Sequence, residues 1–396
     1  MQKKLLIIAA ASILIIIAGR MYMQRGRGTP GSTLPAPAPA WKTSVGKPVR
    51  TALALGADGT IYSIDSAGML SAVNPKGEIL WQYDFERRGI GSEPVIGSDG
   101  AIYAVTLGKL MILEPTGKMR AEHEIRSTAQ GGVGLTDTRL YASCARGDMC
   151  AWSLDPFVEL VWRIRVGQNH APPLLHGPRS TVIGFNHVIA VGTRVPPHLW
   201  SFPADTELLP DRNVQNSFRT QSRDGSAYAT AFSATADGVT YIVRHSGLVA
   251  MDANGAELWQ YKADPHGFVQ PVVAADGTIY VLADARLVAL NPHGTKRWHV
   301  AARGARGQPI LGSAGTIFFA QEQSLRAVSP DGKEKWQARL DGVAEAPTTL
   351  SDDGTLYVAT DKGTLYAFPV GESLMASSWP KYQGNIRNSG QVNLKY

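Results

Sequence analysis

Along most of the chain, apolar and polar residues alternate in runs of about five, and Asp-Gly or Pro-x-Gly breaks each run. Residues 272–300, VVAADGTIYVLADARLVALNPHGTKRWHV, show the whole pattern. Alternation with period two marks a half-buried strand, and Asp-Gly between two such runs marks a hairpin, because a type I′ turn needs positive φ at both central positions. Here the spacing predicts strands over 271–274, 278–282, 286–290 and 296–300, with turns at Asp276-Gly277 and Asn291–Gly294.

This pattern recurs in phase. Asp-Gly hairpins stand at 54–65, 95–106, 233–244, 272–283 and 349–360, with weaker copies at 133–144, 310–321 and 173–185. A second octet, Asn/Asp/Ser, a turn and then Trp, stands at 74–81, 252–259, 291–298 and 329–336, with looser copies at 114–121 and 155–162. Trp41, Trp81, Trp162, Trp200, Trp259, Trp298 and Trp336, with Ala121 replacing one Trp, step by 38 to 41 residues except across 200–259. Four antiparallel strands repeating about every 40 residues read as a propeller blade. No unit has the 3.6-residue apolar period of a helical repeat.

The fold expected is therefore all-β: an eight-bladed β-propeller of four-stranded antiparallel blades over 41–390, preceded by an N-terminal hydrophobic helix. The long step is read as an insertion, a polar loop at 204–226 without strand alternation. The eighth unit shows three clear strands, so a strand at Trp41 should close the ring from its outer edge, with Trp379 as the competing candidate.

Charge sharpens the reading at one end. The net charge is +6, but residues 1–40 hold Lys3, Lys4, Arg20, Arg25 and Arg27 and no acid, which leaves 34 basic and 33 acidic residues in the body. A nearly neutral body argues against a nucleic-acid partner, which needs a clustered basic footprint. The basic residues flank an apolar run, Leu5 to Gly19. Residues 1–23 read as a signal or uncleaved membrane anchor, 24–40 as a Gly/Ser then Pro/Ala linker, and 391–396 as a tail. No Cys follows the run, which excludes a lipidated anchor. Either form exports the body, so the expected location is the periplasmic side of a bacterial cell envelope. Export permits a disulfide between Cys144 and Cys150, the only cysteines; two buried thiols are the alternative.

The segments AVNPKGEILW, ALNPHGTKRW and AVSPDGKEKW, each an octet with two residues before it, resemble the docking motif of the pyrroloquinoline-quinone (PQQ)-like β-propeller family, A-x-D-x-x-T-G-x-x-x-W. Here Lys76, Asn254, His293 and Asp331 replace the family Thr. The resemblance implies that each Trp lies on an outermost strand and packs against a neighbouring blade. Residues 377–390, SSWPKYQGNIRNSG, are similar to a W-P-x-[FY]-x-G-x-x-x-x-[ST]-G segment of the same proteins. The non-enzymatic branch, which includes outer-membrane assembly propellers, implies a protein-binding scaffold with envelope proteins or peptide segments as partners.

Catalytic chemistry has little to stand on. The adjacent Cys pair and the long inter-blade insertions of the quinone-dependent dehydrogenases are missing, so no cofactor or metal is expected, with PQQ and Ca²⁺ as the alternative. H-E-x-x-H, G-x-S-x-G and the P-loop do not occur. Loops between blades remain as a binding face. Lys47, Glu93, His170, Gln270, Gln308 and Glu345 or Ala346 should line the channel mouth, with Arg87, Arg88, Arg303 and Arg306 around them. The leading reading is a non-catalytic envelope scaffold. A PQQ-dependent oxidoreductase and a small-ligand or glycan sensor are the alternatives.

Overall fold

A computed structural model describes residues 34–392 apart from 86–91, 107, 126–131, 145–147, 156–157, 166–173, 177–179, 185–187, 193–197, 203–206, 211–216, 222–228, 245–246 and 264–268. From 176 to 230 it describes the backbone of the strands. Among these residues the regular elements are all strands. Unit 1 is typical: Ala54–Leu55, Ile61–Ile64, Met69–Val73 and Ile79–Asp84 pair antiparallel in chain order. Units 2, 4, 5, 6 and 7 repeat this meander.

Unit 8 settles how the ring closes. Thr349–Leu350, Thr355–Ala359 and Thr364–Pro369 form its first three strands. Its outer strand is Trp41–Ser44, with Trp41 opposite Ala367 and Ser44 opposite Thr364. The chain's first strand covers an edge that the last unit would leave open.

Two parts of the expected fold are corrected. Among the described residues seven sheets, not eight, are four-stranded antiparallel blades, and the sheet of unit 3 has six strands. Its outer strand, Glu159–Arg165, is joined by Ser217–Gln221 in parallel, with Arg163 opposite Ser217, and Glu207–Pro210 pairs with that strand in turn. The insertion therefore contributes a hairpin where its polarity suggested a loop. Backbone pairing along an open blade edge needs no apolar face of its own, so no alternation betrayed it. Second, no helix lies among the described residues, and none there is long and apolar enough to cross a membrane. Residues 1–23 lie outside the described set.

Burial explains the different textures of the strands. Ile61–Ile64 is buried at every position, whereas Ile79–Asp84 alternates between exposed and half-buried. An inner strand has another blade on each face and reads as a continuous apolar run; an outer strand reaches solvent.

The recurring Trp holds neighbouring units together. Each indole packs over the turn glycine of the next unit's octet, and its Nε1 donates to that turn's proline carbonyl. The bonds are Trp41 to Pro75, 2.8 Å, Trp81 to Pro115, 2.9 Å, Trp259 to Pro292, 2.8 Å, and Trp298 to Pro330, 2.8 Å. A Cβ added to Gly77, Gly117, Gly294 or Gly332 would lie 2.5–2.9 Å from the facing indole. These glycines also take φ of 79–89°, so both the turn and the indole exclude a side chain. On its own blade each Trp meets an aromatic residue of the second strand, as Trp298 meets Tyr280 at 5.7 Å between centroids. The octet is thus shared: Pro292 and Gly294 receive Trp259 of unit 5, while Trp298 serves unit 7.

Three junctions depart from the rule. Ala121 stands where unit 2 would offer its indole. Trp162 is fully buried, yet its Nε1 has no partner. Trp336 has no such turn to cover in unit 8, whose outer strand comes from the other end of the chain; it meets Phe318 at 5.7 Å between centroids in the shared core of units 7 and 8. The side chain of Trp200 is outside the described set. In unit 3, Cys144 and Cys150 form a disulfide across the hairpin of Arg139–Cys144 and Asp148–Ser153.

Trp298→Ala removes the indole from Gly332 and the bond to Pro330, leaving a cavity at a junction. It should cost about 3–5 kcal/mol in urea unfolding. The exposed change His293→Ala on the adjoining turn should stay within about 0.5 kcal/mol.

Candidate functional site

A ring of short inner strands creates a hydrogen-bonding demand at its centre. Each inner strand is a sheet edge, and the edge groups that face the channel need partners. The C-terminal segment supplies them. An N–H at or near the end of one inner strand after another donates to a tail carbonyl: Leu55 to Ile386, Ile96 to Arg387, Leu135 to Ser389, Leu175 to Gly390, Val273 to Trp379 and Leu311 to Pro380, at 2.7–3.0 Å. In unit 5, Ala236 N donates to Ser378 Oγ at 3.0 Å. Residues 373–392 therefore bond to units 1 through 7 from the side of the Asp-Gly turns.

The tail's side chains extend the pattern. Asn388 Nδ2 donates to Leu53 O and Pro94 O, Gln391 Nε2 to Leu135 O, and Ser377 Oγ to Val273 O. Trp379, fully buried, joins the core of units 5 and 6. Gly384 has φ +75° and lies under that indole, where a Cβ would be 3.1 Å from Trp379 Cε3. The W-P-x-Y-x-G-x-x-x-x-S-G pattern is thus the sequence of a channel plug. Val392 N donates to Leu175 O at 2.9 Å, so the segment extends past residue 390 into the stretch read as a tail.

An ionisable cluster is buried in the plug. Lys381 Nζ donates to Asn388 Oδ1 at 2.6 Å and Asn385 O at 3.2 Å. Glu93 accepts from Gln383 Nε2 at 2.7 Å and Tyr382 OH at 3.3 Å. Burial lowers the Lys381 ammonium to about 7, against the opposing pull of the Glu93 carboxylate. Burial raises Glu93, although its hydrogen bonds and Lys381 oppose the shift. Burial also raises Tyr382 well above the ordinary phenol value.

The residues expected at the mouth separate into two layers. Glu93 and Gln270 are inside: Glu93 belongs to the plug network and Gln270 Nε2 donates to Phe232 O of the neighbouring inner strand. Gln308 is half-buried, with its Oε1 lacking a hydrogen-bond partner. Arg303, on the loop into unit 7, and Arg306, at the start of that unit's inner strand, are exposed. Arg306 reaches Glu345 at 3.3 Å, and Arg50, which sequence reasoning passed over, reaches the same carboxylate at 3.0 Å. Arg87, Arg88 and His170 lie outside the described residues. Lys381, Tyr382, Gln383 and Asn388 were also missed as parts of the centre; the tail motif was their only signal. Among the described residues no three His, Cys, Asp or Glu side chains gather as a metal site.

The sequence profile of the family described as "Outer membrane protein assembly factor BamB" matches residues 37–177 and 198–322. No curated protein matches the chain. Among solved structures, BamB from Moraxella catarrhalis superposes with a TM-score of 0.67 at 16% identity, covering 84% of this chain and 99% of that one. The computationally designed Ika8 protein gives 0.61 at 12% identity, covering 82% and 98%. Saccharomyces cerevisiae Sqt1 gives 0.66 at 10% identity, covering 86% and 100%. At these identities the likeness is one of fold.

The plug makes stability depend on pH in a defined direction. Lys381 binds its proton more weakly folded, at about 7, than at its ordinary 10.5. The unfolded chain therefore holds more protons between these values, and stability rises with pH through that window. Lys381→Met should flatten the rise between about pH 7 and 9 in urea midpoints. An unchanged slope would show that Lys381 titrates normally in the folded protein.

Proposed function

The chain belongs to the outer membrane protein assembly factor BamB family, and from that membership we propose that it is a non-catalytic, protein-binding scaffold of the bacterial cell envelope. In this reading the apolar run Leu5 to Gly19 tethers it to a membrane, and its partners are envelope proteins engaged in outer-membrane assembly. One observation carries the non-catalytic part: the chain's own tail fills the channel from the Asp-Gly turn side and bonds to the inner strands of six units and the turn of a seventh. That leaves the inter-unit loops, where the repeats differ most, as the docking face. Loops on a rigid frame are where binding residues concentrate.

Topology supports the same choice. Trp41 bonds to Pro75, on the turn face, while Val45 bonds to Gly363 near the loop face. The chain thus enters the propeller from the turn face, so a tether would hold that face toward its membrane. The inter-unit loops would point away from it.

A photo-crosslinking residue placed at Arg303, on the loop face, should give a discrete adduct with an envelope protein in intact cells. The same residue at His293, on the turn face, should give none. Adducts from position 293 alone would overturn the assignment of the docking face.

A further inference from the structure

We propose that the loops of units 7, 8 and 1 form a docking site for an acidic peptide segment of a partner, with Arg50 and Arg306 as its carboxylate-binding pair. The inference rests on the scaffold reading above and adds the partner's chemistry.

Three loops bring these residues together: Arg50 precedes unit 1, Arg306 opens unit 7 and Glu345 precedes unit 8. Arg50 Nε lies 3.0 Å from Glu345 Oε2, and Arg306 Nη1 lies 3.3 Å from Oε1. Two guanidinium groups share one carboxylate, and Arg303 stands three residues from Arg306. Arg50, Arg303 and Arg306 thus outnumber Glu345 and Glu322 by one at this junction. Among the other nearby acids, Glu322 is exposed with its side chain against Gly304, and three more accept from local donors. Asp65 accepts from the backbone N–H of Lys47, Ala67 and Met69; Asp361 accepts from Val343 N, and Asp341 from Thr360 and Thr364.

The position of Arg306 is built into the backbone. The inner strand of unit 7, Ala305–Leu311, has seven residues, whereas those of units 1, 2, 6 and 8 have two. Its added length pairs Arg306 with Ala320, above a break in register that ends at Ile310. Gly304 and Gly307 bracket the arginine at φ +72° and +69°, and a Cβ at Gly307 would lie 3.1 Å from Ala346 O. The loop of unit 7 is thereby seated against that of unit 8.

These arginines are free to change partners. Their side chains keep 66% and 62% of their exposure, and so exposed an ion pair holds its members weakly. A planar guanidinium fork matches a carboxylate through paired N–H donors. A peptide is favoured over a lipid headgroup because the N-terminal strand enters from the opposite face.

The test uses the full-length protein in neutral detergent and a fluorescein-labelled hexaglutamate peptide, read by anisotropy at low and physiological salt. A hexalysine peptide and anionic phospholipid vesicles are run beside it. Hexaglutamate should bind, with affinity falling as salt rises. The double variant Arg50→Glu/Arg306→Glu should weaken binding at least about tenfold with an unchanged thermal midpoint. Glu345→Gln removes the internal competitor and should strengthen binding about threefold, the reverse of what a merely structural acid would do. Equal binding by the double variant, weaker binding by Glu345→Gln, or variant-sensitive binding to vesicles alone would overturn the proposal. If Arg303 still crosslinks to an envelope protein in that case, the scaffold reading stands and only the acidic partner is lost.

Discussion

One contact governs the ring: an indole of one unit laid on a bare turn of the next. It couples two facts that a single blade cannot combine. The outer strand must carry a large aromatic residue, and the following turn must carry none at glycine. Burying an aromatic side chain contributes roughly 1.5–3 kcal/mol. The indole N–H also meets a carbonyl, so the contact has a direction as well as an area. Repetition sets the angle between successive blades, and the angle brings the inner strands together around an axis.

The centre then inherits a problem that the rim does not have. Bringing strand edges around a narrow channel leaves N–H and C=O groups facing one another without partners. The chain answers with a segment rich in Asn, Gln, Ser and Gly, which bonds to successive inner strands. An apolar plug would have left these groups unsatisfied. Lys381 and Glu93 are the cost of that solution, since each is buried where its charged form is disfavoured. Their neighbours offset the cost: carbonyl oxygens surround the amine, and an amide and a phenol face the carboxylate.

The repeat was legible because turns and outer strands are local. Asp276-Gly277 fixes its own hairpin, and the bounds of the sixth unit differ by one residue at most strand ends. Ring closure by Trp41 was legible too, since a missing strand at one end matched a spare one at the other. The hairpin at 207–221 was not, because its pairing depends on an edge supplied by residues 159–165. At the centre, Glu93 could be placed near the axis by its phase in the repeat. Its partners Tyr382 and Gln383 lie nearly three hundred residues away and carry no repeat phase. Arg50 was missed for a similar reason: its meaning comes from Glu345, which only the closed ring brings beside it.

The pairing of Trp41–Ser44 with Thr364–Pro369 also sets an order of events during synthesis. The first strand leaves the ribosome with nothing to pair with. It must wait, as an unpaired edge, for nearly the whole chain. Such distant partners slow folding, because the long loop must close before its contacts can form. An exposed edge held open for that interval is also a site for misassociation between chains. The ring can thus be finished only after its final unit has been made, and residues 373–392 can seat only on inner strands already in place.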